Sequence, residues 1–180
     1  MPRRFASRWT ALLLAIATLA ASCNPAISGA GGGSLVGSAA PALSGADLTG
    51  TGITNLETLR GRPTAVVFWL NTCPHCQREL PEVQAAWPTL QETANVLTVG
   101  MLNPDLAGSP PFETPRAFVE ATGLTLPTIE VDPLEAIENW RLEGVPVIFV
   151  LDEEHIVRAV YLGAGHIDEA AQALAALATD

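Results

Sequence analysis

Apolar residues in this chain fall into short unbroken runs, spaced by polar, glycine-rich and proline-rich stretches. Residues 64–70 end in Ala65-Val66-Val67-Phe68-Trp69-Leu70, and 95–102 and 145–151 are similar blocks. Runs this short with no polar alternation predict strands buried on both faces. Residues 128–131 predict a shorter strand. Residues 155–162 predict a strand that pairs with 145–151 through the turn Asp152-Glu153-Glu154. Between these lie helical patterns: 77–91, which Pro81 should kink; 112–122, ended by Gly123; 134–142, behind Pro133; and 167–178, with Asp168 and Glu169 in its first turn. A helical turn is predicted at 56–59, closed by Gly61, and 103–111 is a loop rich in Pro and Gly. Strands and helices alternate, then a hairpin and a helix finish the chain. The prediction is one α/β domain, a mixed central sheet with helices on both faces.

The first forty residues do not fit that pattern. Arg3, Arg4 and Arg8 precede an apolar stretch, 11–21, and Ala20-Ala21-Ser22 stand before Cys23. This is the layout of an export signal over residues 1–22, too short for a good membrane span. Residues 24–40 are rich in Gly, Ser and Ala without periodicity and predict a flexible tether. The small residues before Cys23 resemble the lipobox of bacterial lipoproteins. That resemblance implies a diacylated Cys23 as mature N-terminus, residues 23–40 as a lipid-anchored tether, residues 41–180 as the domain, and a location on the outer side of a bacterial cell membrane.

Charge narrows the partners. The chain of 180 residues has a net charge of −10, from nine basic and nineteen acidic residues. Removing residues 1–22 takes away three arginines and no acid, so the net charge becomes −13. Such a surface argues against nucleic acid and against an anionic membrane surface as partners.

The candidate chemistry sits between the first core strand and the helix that follows: Thr72-Cys73-Pro74-His75-Cys76. Cys73 would stand at the helix N-terminus, where unpaired N–H groups and the helix dipole favour an anion. The thiolate is the nucleophile of disulfide exchange, so this position activates Cys73. Cys76, one turn on, can attack a mixed disulfide and release the partner. Pro74 suits the first helical turn. His75 can bring positive charge to the thiolate. A zinc site needs two further ligands at matching spacing. The remaining cysteine is Cys23 and the remaining histidines are His155 and His166, so no second half-site is present. No metal or other cofactor is expected.

Several motifs together resemble the thioredoxin superfamily, specifically its TlpA/ResA-like extracytoplasmic disulfide oxidoreductases, over residues 37–180. They are Gly37-Ser38-Ala39-Ala40-Pro41; Leu59-Arg60-Gly61-Arg62-Pro63; Phe68-Trp69 ahead of Cys73; Pro81, five after Cys76; and Gly144-Val145-Pro146 before the strand 147–152. The resemblance implies a thioredoxin-like fold and a redox-active Cys73–Cys76 pair. It implies a cis Val145–Pro146 peptide beside that pair, with the Val145 backbone binding an incoming chain. Glu79 would tune the thiols and relay protons, and Trp69 would pack at the border of the site. Two departures stand out. Thr72 replaces the Trp that usually precedes the first cysteine, removing part of an apolar rim. Val67 stands where thioredoxin has a buried Asp.

The implied activity is thiol-disulfide exchange with exported client proteins, the pair being recharged by a membrane redox partner. Pro74-His75 is the dipeptide of DsbA-type oxidants, whereas Gln77-Arg78-Glu79-Leu80-Pro81 is TlpA-like. A dedicated reductase for cytochrome c maturation is therefore an alternative. A copper metallochaperone of the Sco type would enlist His155 or His166, but spaces its cysteines three apart. A peroxidase of the peroxiredoxin type needs its peroxidatic Cys in another motif.

Overall fold

Val66, Val67, Phe68 and Trp69 have no polar neighbour with which to face water, and the strand they form is buried on both sides. In a computed structural model of the protein, which describes residues 35–103 and 112–179, this strand is β2, Thr64–Leu70. It lies inside a six-stranded sheet of order β1-β4-β3-β2-β5-β6. The others are β1 (Ala46–Asp47), β3 (Asn95–Met101), β4 (Thr128–Val131), β5 (Val147–Leu151) and β6 (Val157–Leu162). β3 runs parallel to β2 with Phe68 opposite Val99, and β5 antiparallel with Phe68 opposite Val147. The sheet is therefore mixed, as predicted.

Alternation along β2 sorts the core into two layers. Ala65, Val67 and Trp69 face α1 (Pro74–Leu90), α2 (Pro115–Thr122) and α4 (Ile167–Leu177), packing with Leu80, Val83, Phe118 and Leu174. Val66 and Phe68 face the other way, toward α3 (Pro133–Trp140), with Trp140 and Phe149 stacked edge to face at 5.0 Å. Helices thus cover both faces.

Caps set the ends that periodicity blurred. α2 starts at Pro115 rather than 112 because Thr114 Oγ1 accepts from Ala117 N at 3.0 Å. Asp132 caps α3 through the amides of Leu134 and Glu135, and Arg141, in the left-handed region at φ 51°, ends it before 142. β6 begins at Val157 because His155 takes φ 59° and the preceding turn closes on Asp152 Oδ1. α1 is continuous through Pro81 and Pro88.

Two further features differ from the sequence reading. β1 is a two-residue strand antiparallel to β4, and a Cβ on neighbouring Gly45 would collide with the Glu130 carbonyl. Residues 35–40, assigned by composition to the tether, pack on the domain. Leu35 is buried, Gly37 N donates to Val157 O at 2.8 Å, and Ala39 bridges Ile156. The expected export signal and Cys23 lie outside the described residues, as do residues 104–111 of the expected loop. Among the described residues, no helix is long and apolar enough to cross a membrane.

Candidate active site

β2 delivers the cysteine motif at the carboxyl end of the sheet. Cys73 N donates to Leu70 O at 3.1 Å, which turns the chain out of the strand. Cys73 is the N-cap of α1, with extended backbone and Pro74 at the first helical position. Its Sγ accepts from the Cys76 amide at 3.2 Å. An anion at that sulfur would meet a backbone donor and the positive end of a 17-residue helix. The two cysteines form a disulfide, with Cα atoms 5.3 Å apart. Their surroundings differ. Cys73 is half-buried, whereas Cys76 is fully buried and packs in the core layer that holds Leu80 and Trp69.

The loop before β5 closes the other side. The Val145–Pro146 peptide is cis, and Val145 O lies 3.8 Å from Cys73 Sγ. Pro146 is buried and its carbonyl accepts from Gly163 N at 2.8 Å. Val145 is half-buried and touches both core layers. Thus Cys73, Cys76, Val145 and Pro146 come together.

Glu79 lies one turn beyond Cys76, inside the protein and only 2% exposed. Its Oε2 accepts from Gly165 N at 2.7 Å, while Oε1 is buried with no hydrogen-bond partner. Burial pushes its pKa up; the Gly165 amide, the nearby His166 and the His166 amide oppose that, and Glu82 adds to it. Trp69 is buried, with its ring 5.0 Å from that of Phe118. Gly100 makes room for it, since a Cβ there would stand 2.9 Å from Trp69 Cζ2. His75 is exposed, and its Nδ1 lies 2.8 Å from Arg78 Nη2. A guanidinium only donates, so Nδ1 is the acceptor in that bond.

A residue not singled out from sequence, Asn71, is central to the local structure. It is fully buried. Its Nδ2 donates to Phe112 O at 2.7 Å, and its Oδ1 accepts from Asn103 N at 3.0 Å. Gln77 Nε2 donates to the Asn71 carbonyl at 2.9 Å, tying the first turn of α1 to the strand end. Asn103 Nδ2 reaches Thr72 Oγ1 at 3.1 Å. The signal was a polar residue directly after an apolar run and two before the first cysteine.

The two remaining histidines do not join the cysteines in one cluster. His155 follows β5, whose end at Leu151 pairs with Thr64, the end of β2 away from Cys73. Burial pushes its pKa down, with the Arg60 charge adding to that. His166 stands at the start of α4, stacked on Tyr161 and 3.6 Å from Glu169. Among the described residues no group of three or more His, Cys, Asp or Glu side chains is arranged to hold a metal.

Comparison with known proteins places this geometry in a family. The profile of the AhpC/TSA family matches residues 36–160. The thiol-disulfide oxidoreductase ResA of Halalkalibacterium halodurans is 26% identical over 118 residues, covering 65% of this chain and 62% of that protein. The sporulation thiol-disulfide oxidoreductase A of Bacillus subtilis is 24% identical, covering 58% and 61%. The chain thus spans about three fifths of the length of these relatives. Among solved structures, the thioredoxin domain of a thiol-disulfide oxidoreductase from Bacteroides vulgatus superposes with a TM-score of 0.63 at 21% identity, covering 77% of this chain and 97% of that one. A secreted thiol-disulfide isomerase from Corynebacterium glutamicum gives 0.63 at 22%, covering 78% and 86%. These likenesses establish a thioredoxin-like fold.

Proposed function

The chain belongs to the AhpC/TSA family, and on that premise we propose that it is a thiol-disulfide oxidoreductase acting through Cys73 and Cys76 on exported proteins. The observation that carries this reading is the unequal burial of two bonded sulfurs at one helix start: Cys73 half-exposed and capped by an amide, Cys76 enclosed. A peroxidase needs one peroxidatic thiol open to a small oxidant. A dithiol within one helical turn instead suits exchange through a mixed disulfide.

In the oxidising direction a client thiolate attacks Cys73 Sγ. The Cys73–Cys76 bond breaks, and Cys76 leaves as a thiolate that takes up a proton. A second client thiolate then attacks the client sulfur of the mixed disulfide, and Cys73 departs as a thiolate. The client loses two electrons and gains a disulfide; the pair gains two electrons. The reverse sequence reduces a client disulfide. Cys73 is the attacking and leaving group because its thiolate is capped. Glu79, buried one helical turn beyond Cys76, is assigned the role of exchanging a proton with it. Val145, before the cis proline, presents backbone to an incoming extended segment, with Pro146 as its support. Pro74 sets the helix start, His75 tunes the charge around Cys73, and Trp69 backs the site from the core.

We further propose that residues 1–22 direct export, that Cys23 is acylated, and that residues 24–34 tether the domain outside a bacterial membrane. There a membrane redox partner would reset the pair. The test of the chemistry is trapping. Cys76→Ser should accumulate mixed disulfides through Cys73, detected by non-reducing electrophoresis and released by dithiothreitol. Trapping that survives Cys73→Ser and requires Cys76 would overturn the assignment.

A further inference from the structure

Thr72 stands where the TlpA/ResA-like pattern carries a Trp before the first cysteine, so an apolar group is missing from the rim. The structure supplies another from a distant part of the chain. Phe112 is half-buried and rests on the core layer that also carries Cys73 and Val145. Its ring stands edge-on to Phe118 at 5.0 Å, and Phe118 in turn packs tilted against Trp69. Its carbonyl is bonded by the side chain of Asn71, two residues before Cys73.

Burying an Asn side chain is costly unless its polar atoms are bonded. Asn71 spends one on each flank of the 104–111 segment, Oδ1 on Asn103 N and Nδ2 on Phe112 O. Thr72 adds the bond from Asn103 Nδ2. Asn71 and Thr72 therefore hold Asn103 and Phe112 beside the start of the cysteine motif. The Phe112 ring has Phe118 beneath it and leaves part of itself open. Val145 O lies 3.8 Å from Cys73 Sγ, and the Phe112 carbonyl is held by the residue two before that cysteine.

We propose that Phe112 is a specificity-determining residue of the exchange site, an apolar contact for the client side chain adjacent to the target cysteine. Asn71 is the positioning residue that holds it there. The partner this surface fits is an extended client segment with a large apolar residue next to its cysteine. The inference rests on the oxidoreductase reading above.

The test compares two peptide disulfides that differ only beside one cysteine, leucine against serine. For each, kcat/KM is measured on the full chain, with dithiothreitol exchange run in parallel. The unsubstituted protein prefers the leucine peptide. Phe112→Ala lowers that preference roughly tenfold, the worth of an apolar contact of some fifty Å², and acts mainly on KM. Phe112→Leu keeps most of it. Asn71→Ala lowers the preference as Phe112→Ala does, and the double variant lowers it no further, because both remove one contact. An unaltered preference in Phe112→Ala, or an equal loss on both peptides, overturns the inference while leaving the oxidoreductase reading intact. No dithiothreitol exchange by the unsubstituted protein overturns both.

Discussion

Replacing Glu79 by Gln isolates what a buried carboxyl does behind the cysteine pair. The side chain is 2% exposed, with one oxygen on the Gly165 amide and the other unpartnered. Burial raises its pKa in the folded protein above the unfolded value. Between those two values the folded state keeps a proton that the unfolded chain has lost. Glu79 therefore costs no stability below its unfolded pKa, and that stability falls as pH rises through the folded pKa. Above it, the full penalty of a buried charge applies. Gln keeps the shape and the acceptor for Gly165 but carries no charge. An unsatisfied buried polar atom costs about 1–3 kcal/mol. Gln also places an N–H₂ where the structure gives Oε1 no partner, so the net gain at high pH is about 1 kcal/mol. For a domain of this size that raises Tm by roughly 2–5 °C.

Thermal unfolding of the oxidised protein at about pH 8, and again near the unfolded glutamate pKa of about 4.3, reads this directly. Glu79→Gln should be more stable at the higher pH and nearly equal at the lower. A variant less stable at high pH, or a difference that does not change with pH, refutes the argument. If Glu79 exchanges a proton with Cys76 as proposed, the same substitution should flatten the pH dependence of the exchange rate. A shift of that profile without change of shape points instead to an effect through charge alone.

Two more outcomes follow from the proposed roles. Mass spectrometry of the mature N-terminus should find a diacylated Cys23; an unmodified N-terminus, or one starting elsewhere, sinks the tethering proposal. Equilibration with glutathione should place the Cys73–Cys76 couple between the roughly −270 mV of thioredoxin and −120 mV of DsbA. His75→Pro should lower it, and no change would make His75 a bystander.

The core strands and the cysteine site were legible because their signals are local. β2, β3 and β5 are unbroken apolar runs, and Cys73, Pro74 and Cys76 state a helix start by their spacing. What was not legible depends on partners far along the chain. Asn71 binds residues 32 and 41 positions away, and nothing beside it in the sequence announces them. Glu79 occupies a helical position that suits solvent as well as core; it is enclosed with the loop before α4, where Gly165 bonds it from 86 residues away. Residues 35–40 read as tether because they continue a stretch rich in Gly, Ser and Ala without periodicity. Their attachment to β6 is largely main chain, Gly37 N to Val157 O and Val157 N to Ser38 O, which composition cannot express. β1 was missed for a similar reason: two residues carry no period, and it is Gly45, by admitting the Glu130 carbonyl, that lets the strand dock.

The same geometry decides which electrostatic effect governs Cys73. Three charges or dipoles compete there: the helix start, the His75–Arg78 pair and Glu79. The helix start acts by direct contact, through the Cys76 amide at 3.2 Å. Charge-assisted hydrogen bonds of that kind are about twice as strong as neutral ones. The His75 ring is exposed and accepts from Arg78. Both side chains are exposed, and solvent ions screen charge there over about 8–10 Å. Glu79 would oppose a thiolate if ionised, and burial, by pushing its pKa up, weakens that opposition. What remains is a net preference for anionic Cys73. Reduction creates that anion, so whatever stabilises it favours the reduced pair and makes the disulfide the stronger oxidant. The helix start therefore pulls the couple toward oxidation of its clients.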